Sequence, residues 1–248
     1  MFRSMRSRIS GDELIDQPET STEDISDNLR DMALINKWFG GAKAVLVHIL
    51  PLLRVCTSDP IRVLDAACGG GDISRRIVDE ARKLGKLVDV IGLDLSAKVL
   101  DYAKRSSSDY PEITFIQADM LNPPYEAGNF DIVILTSVVH HLEPEEVITA
   151  LQAARKISRG HVIAVDIVRS RLAHLGFCLI TRILHFSPVT LHDGAISIYR
   201  AYTPSELNTF ASRTGLSECK LHKHRFFRMA LVYKCADHDG VVDASSSD

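Results

Sequence analysis

Apolar and polar positions along the chain alternate between two periods. Short, nearly continuous apolar runs read as strands: IRVLDAA (61–67), VDVIGLDL (88–95), ITFIQAD (113–119), FDIVILTSV (130–138) and HVIAVDIV (161–168). Between them lie amphipathic stretches with the helical period, ISRRIVDEARKL, AKVLDYAKR and a segment opened by Pro144, a residue favoured in a first turn. Another helical region begins near Asp24, pauses at Gly40-Gly41 and resumes as AKAVLVHILPLL. Strands alternating with helices predict βαβ units and a parallel sheet, and the unbroken apolar runs predict helices on both faces.

After the fifth strand the order changes. An apolar helical stretch, RLAHLGFCLITRILHF, is followed by Pro188 and the expected loop LHDGAIS. Thr203-Pro204-Ser205-Glu206 reads as a capping box that opens another helix. The run CKLHKHRFFRMALVYK reads as two strands with a tight connection, which gives an antiparallel edge.

Residues 1–22 and 236–248 lack periodicity and are expected to be loose tails around a single domain, 23–235. Within it, residues 23–55 are expected to form a helical lid and 169–202 a cap over the substrate. The basic opening MFRSMRSRIS meets acidic residues from Asp12 onward and has no apolar core, so it reads as tail rather than targeting signal.

At 248 residues, 46 % of them hydrophobic and 25 % charged, one large globular domain is expected. The net charge of −3 and the absence of a basic run argue against a nucleic-acid or anionic-membrane partner. Five cysteines without a C-x-x-C pair argue against a disulfide framework or zinc site, and for a reducing, cytoplasmic setting. No apolar run reaches the ~20 residues of a spanning helix.

Open α/β sheets bind ligands beyond the carboxyl ends of their strands. Polar residues gather there: Asp65 with the Gly69–Gly71 turn, Asp94, Asp119, Thr136 with Ser137, and Asp166. A glycine turn admits a ligand close to the backbone, and an acid about 25 residues later suits a ribose diol. A nicotinamide dinucleotide would want a third glycine where Ser74 stands, and no negative charge where Asp72 opens the helix as its expected cap. A cofactor carrying a sulfonium and an ammonium tolerates these acids.

The stretch VLDAACGGGDISRRI resembles the first signature of the class I S-adenosylmethionine-dependent methyltransferases, D/E-x-G-x-G-x-G. It matches at Asp65, Gly69 and Gly71, with Ala67 where the first glycine is usual. The resemblance continues through VIGLDLS, FIQADMLNPPY and NFDIVILTSVVHHL, over roughly Arg62 to Val168. It implies a Rossmann-like seven-stranded α/β fold, mostly parallel with an antiparallel edge strand, an N-terminal helical lid and an inserted helical cap. It also implies that Asp65, Gly69 and Gly71 hold the methionine end of S-adenosyl-L-methionine, Asp94 the ribose hydroxyls, and Asp119 with Met120 the adenine, with Ala67, Leu95 and Thr136 as further cofactor-binding positions. The chain as a whole looks like the small-molecule branch that includes ubiquinone and menaquinone methyltransferases and relatives of polyketide and phenolic-lipid biosynthesis. A small, hydrophobic, phenolic or quinone-like acceptor is the implied partner.

Asn122-Pro123-Pro124-Tyr125 spells the motif of amine methyltransferases, but precedes the fourth strand instead of following it. His140 and His141 do follow that strand and are the candidate catalytic bases. Trp38, Phe39, His192 and Arg200 are the candidate substrate contacts. His192 and Asp193, in the LHDG turn, are placed to reach over the site from the cap, and Asp166, Arg169 and Arg200 flank that segment. No metal is expected: His222 and His224 share a strand face without an apparent third ligand. Two other readings stay open, an NAD(P)-dependent oxidoreductase and a non-catalytic domain that binds S-adenosylmethionine.

Overall fold

Alternate residues of the central strands face opposite layers, and both layers are dry. In the computed structural model, Leu64, Leu93, Val133 and Ala164 point into one core, while Val63, Val90, Ile134 and Val165 point into the other. The structure describes residues 5–214 and 219–235, apart from residues 6, 10 and 12. The expected tail 236–248 lies outside the described residues.

The sheet contains β1 (Ile61–Ala66), β2 (Val88–Asp94), β3 (Ile113–Gln117), β4 (Phe130–Thr136), β5 (Ser158–Ile167), β6 (Lys220–His224) and β7 (Arg228–Lys234). Its order is β3-β2-β1-β4-β5-β7-β6, with β1 to β5 parallel and β7 antiparallel to both neighbours. The topological switch falls between β1 and β4, so the crevice beyond their carboxyl ends is the ligand position.

The helices are α1 (Thr22–Trp38), α2 (Gly41–Val55), α3 (Asp72–Lys83), α4 (Ala97–Ser106), α5 (Pro144–Ile157), α6 (Arg171–Ile183), α7 (Pro188–Arg200) and α8 (Pro204–Arg213). Local chemistry sets their starts: Ser21, Ser96 and Ser170 accept backbone N–H bonds as caps, and Thr203 with Glu206 forms the expected capping box.

Four expectations need correction. The described part of residues 1–22 is docked, not loose: Arg8 donates to the carbonyls of His140, Leu142 and Arg200, and the N–H groups of Leu14 and Ile15 donate to Asp193. The expected loop LHDGAIS is helix, because Ser187 caps α7 with Pro188 at its first position. Half of the expected lid is scaffold, since Val45, Ile49 and Leu53 pack α2 against the sheet. Asp72 is the first residue of α3 and no cap; Gly71, in the left-handed region, precedes it.

Candidate active site

A cavity of about 960 Å³ opens beyond the carboxyl ends of β1, β2 and β4. Its floor is the turn after β1. Ala67 (φ 62°), Gly69 (φ 51°) and Gly71 (φ 71°) all adopt left-handed backbone there. Ala67 thus holds the conformation of the glycine it replaces, at a cost of about 1 kcal/mol.

Asp94 closes this turn. Its carboxylate accepts the N–H of Gly69 at 3.0 Å through one oxygen and that of Ser96 at 3.0 Å through the other. Burial pushes its pKa up, and these two bonds pull it back. Each oxygen keeps a lone pair for a ribose hydroxyl. Asp119 is tied by the N–H of Leu121 at 2.8 Å through Oδ1, which leaves Oδ2 for an exocyclic amine. Leu95, Met120 and Thr136 line the same cavity.

Asp65 is fully buried. Ser74 donates to its Oδ2 at 2.6 Å, while its Oδ1 has no partner. Burial pushes its pKa up to about 7. The Thr136 hydroxyl and Asn36 Oδ1, in the same cavity wall, are also buried without partners. Orphaned acceptors of this kind call for a buried donor, and the ammonium of S-adenosylmethionine is such a donor, so the residues fit that cofactor. The Ser74–Asp65 bond also explains why the third glycine of a dinucleotide fingerprint is absent: this side chain holds an acid instead of making room for a helix.

Opposite the turn stands His140, on the short 3-10 turn after β4. Its Nδ1 lies 2.7 Å from Asp166 Oδ1, and its backbone N–H donates to Asp166 Oδ2 at 3.0 Å. Its Nε2 lies 3.6 Å from Glu13 Oε1. Burial opposes a charge on this ring, but Asp166 and Glu13 outweigh it and raise the pKa to about 9. Burial likewise opposes charge on Glu13, and His140 and His141 overcome it, to about 2. His141 tilts against His140 with ring centroids 4.4 Å apart. Glu13, His140 and His141 hold ligand-type atoms within 4.8 Å of one another. Asp166 and Glu13 thus bracket the His140 ring, one carboxylate at each nitrogen.

The candidate substrate contacts divide. Trp38 points to solvent and Phe39 meets Phe226 edge-on at 6.0 Å, so neither lines the cavity; Met32 and Ile35 of the same helix do. His192 is exposed, whereas Asp193 and Ser197 on α7 face inward. Arg200 fastens the wall by donating to the carbonyls of Gly11 and His141. Gly71 shapes the turn without lining the cavity. Tyr125 of the N-P-P-Y run packs edge-on against Phe130, away from the site. At the sheet edge His48 supplies a third imidazole beside His222 and His224; its Nε2 lies 2.9 Å from that of His224. Two residues of this cluster had no readable role in the sequence: Glu13, within a polar stretch, and Asp166 as the partner of His140.

Residues 63–161 match the family described as "Methyltransferase domain". An uncharacterized methyltransferase of Synechocystis sp. is 29 % identical over 124 residues, covering 49 % of this chain and 54 % of that protein. The 2-phytyl-1,4-naphtoquinone methyltransferase of Nostoc punctiforme is 41 % identical over 71 residues, covering 27 % of this chain and 30 % of that protein. The chain thus matches about half or less of the length of these relatives. Among solved structures, the CurJ carbon methyltransferase superposes with a TM-score of 0.64 at 18 % identity, covering 90 % of this chain and 63 % of that one. The magnesium protoporphyrin IX methyltransferase of Synechocystis, solved with S-adenosylmethionine bound, gives 0.53 at 16 % identity, covering 79 % and 81 %. Residues 63–161 thus match a methyltransferase domain, and the seven-stranded sheet built around them has the fold of these methyltransferase structures.

Proposed function

We propose that this chain methylates a small, hydrophobic acceptor carrying a ring hydroxyl, phenolic or hydroquinone-like. The observation that carries the reading is the buried His140–Asp166 pair, which shares a cavity with Asp65 and Asp94. Bound S-adenosylmethionine supplies an electrophilic methyl group on its sulfonium.

The residues of the chain do the rest. Asp65, Asp94 and Asp119 anchor the two ends of the cofactor, so that donor and acceptor meet in fixed geometry; such positioning is the main source of rate in an in-line displacement. Asp166 holds the Nδ1–H of His140 and aims Nε2 into the cavity. An acceptor hydroxyl that takes the place of Glu13 removes one of the two carboxylates that keep the ring charged. The Nε2 proton then leaves to bulk water, and neutral Nε2 accepts the proton of the hydroxyl. The resulting phenolate is nucleophilic at oxygen and at its ortho carbon, so one site serves O- or C-methylation. After C-methylation the methylated carbon gives its proton to water and the His140 imidazolium returns its proton to the ring oxygen, which restores the phenol. Naphtoquinone methyltransferases among the sequence relatives support this acceptor class. A hydride-transfer role is disfavoured by Ser74 and by the acids around the turn.

The test is methyl transfer from labelled S-adenosylmethionine to a panel of alkylated phenols and hydroquinones. Labelled product that disappears in His140→Asn, with cofactor binding kept, is the expected result. Binding without transfer to any member would favour a non-catalytic binding domain.

A further inference from the structure

Lys and Arg are spread through the sequence without a run, yet the fold sorts them. Residues 32–58, 168–192 and 219–235 contain no Asp or Glu, but hold three, three and five Lys or Arg, in a chain of net charge −3. The first stretch covers the end of α1 and all of α2, the second α6, and the third β6 and β7. Contacts join them along one side. Phe39 meets Phe226, His48 meets His222 and His224, and Asp31 of α1 accepts from Ser187 N and Thr190 Oγ1 at the start of α7. Among the described residues, the only cation of the three stretches in an ion pair is the buried Arg169, with Glu206. Lys37, Arg171, Arg182, Lys223 and Arg225 are exposed.

The same side exposes large apolar groups. On α6, Leu172 (67 %), Leu175 (50 %), Leu179 (62 %) and Ile183 (63 %) face solvent. At about 100° per residue these four fall within one narrow stripe, with Phe177 and Thr181 opposite. Arg171 and Arg182 both lie along the Leu175 edge of the stripe. Trp38 (63 %) and Phe226 (50 %) extend the apolar character to the end of α1 and the β6–β7 turn.

We infer that this side docks on an anionic phospholipid bilayer, with the α6 stripe lying in the headgroup boundary and the cations meeting lipid phosphates. An apolar stripe edged by Arg, without acids, is the composition of an interfacial helix. Exposed aromatics at the edge suit the same boundary. Exposed Leu and Ile distinguish this surface from a phosphate-only footprint such as nucleic acid presents. No single helix among the described residues is long and apolar enough to cross a membrane, and α1 with α2 reaches that length only as a pair bent by 61° whose Val45, Ile49 and Leu53 pack in the sheet core; the contact inferred is a peripheral one. Phe177, on the inner side of α6, lines the cavity. One helix therefore separates the reaction site from the lipid, and an acceptor with an alkyl tail could keep the tail in the bilayer. This last link rests on the proposed acceptor class; the docking itself does not.

Cosedimentation with sucrose-loaded vesicles tests the surface, using phosphatidylglycerol–phosphatidylcholine mixtures against pure phosphatidylcholine at 0.15 M salt. The expected result is binding to the anionic vesicles at least about tenfold tighter than to the neutral ones. The variant Leu175→Glu/Leu179→Glu and the variant Arg182→Glu/Lys223→Glu should each weaken that binding about tenfold or more. Both alter exposed groups, so S-adenosylhomocysteine affinity should stay unchanged; that readout separates failure of the surface from failure of the methyltransferase reading. Protein that stays in the supernatant with anionic vesicles overturns the inference. So does binding that neither variant weakens, or a dimer in sedimentation velocity that Leu175→Glu/Leu179→Glu dissociates while vesicles capture nothing. Tighter binding to a short DNA duplex than to vesicles, insensitive to the leucine changes, overturns it as well.

Discussion

Asp166 and His140 exchange two contacts over 26 positions of sequence: imidazole Nδ1 to Oδ1 at 2.7 Å, and the backbone N–H of His140 to Oδ2 at 3.0 Å. The carboxylate at the end of β5 therefore fixes both the ring and the turn that carries it. Asp166→Asn keeps the shape but loses the charge that holds Nδ1–H. We expect kcat to fall about 10²–10³-fold, the scale of general-base assistance, with S-adenosylhomocysteine affinity within about twofold. Steady-state kinetics beside calorimetry checks the split; a matching loss of cofactor affinity would assign Asp166 a purely structural role.

The charge state of His140 makes stability depend on pH. Its pKa is raised to about 9 in the fold, against about 6.5 unfolded. The stabilisation is fully present below pH 6.5 and is lost as pH rises through about 9, at most roughly 3 kcal/mol. Glu13, lowered to about 2, works in the opposite direction: its contribution is present above about pH 4.5 and disappears as pH falls toward 2. Denaturant unfolding from pH 6 to 9.5 should show the alkaline loss in the native chain and a flatter curve in His140→Asn.

Asp65 ties cofactor binding to a proton. With a pKa near 7 it is largely protonated at pH 6, and an arriving ammonium favours the carboxylate. Binding of S-adenosylhomocysteine at pH 6 should release a proton, and affinity should weaken as pH falls below 7. Calorimetry in buffers of different ionisation enthalpy measures this directly. Asp65→Asn should bind more weakly and lose the buffer dependence.

Glycines 69 and 71 share a backbone region but not a neighbourhood. A Cβ on Gly71 would sit 2.8 Å from Phe115, whereas one on Gly69 meets nothing within 4 Å. Gly69→Ala should cost about 1 kcal/mol from the left-handed φ alone. Gly71→Ala adds overpacking, for roughly 2–4 kcal/mol in all. Equal losses in thermal unfolding would contradict the contact with Phe115.

The sheet was legible because its five parallel strands are local apolar runs, and the cofactor turn because Asp65, Gly69, Gly71 and Asp94 carry their meaning in short spacing. What stayed hidden depends on distance or on phase. Arg8 and Glu13 sit in a polar stretch without a period, and their partners lie more than 100 residues away. Within α7 one step of about 100° separates exposed His192 from inward Asp193. Trp38 likewise sits one turn from Ile35 and faces outward. The cationic side has no sequence run because it is assembled from three separate stretches.

The most direct test of the central claim is calorimetric titration of S-adenosylhomocysteine into the native chain and Asp94→Ala, with NADH as control. Asp94 both closes the turn at Gly69 and offers its remaining lone pairs to the ribose. Micromolar binding, weakened more than about tenfold in Asp94→Ala and absent for NADH, is the expected result. No binding, or a preference for NADH, would contradict the assignment of this cavity to S-adenosylmethionine.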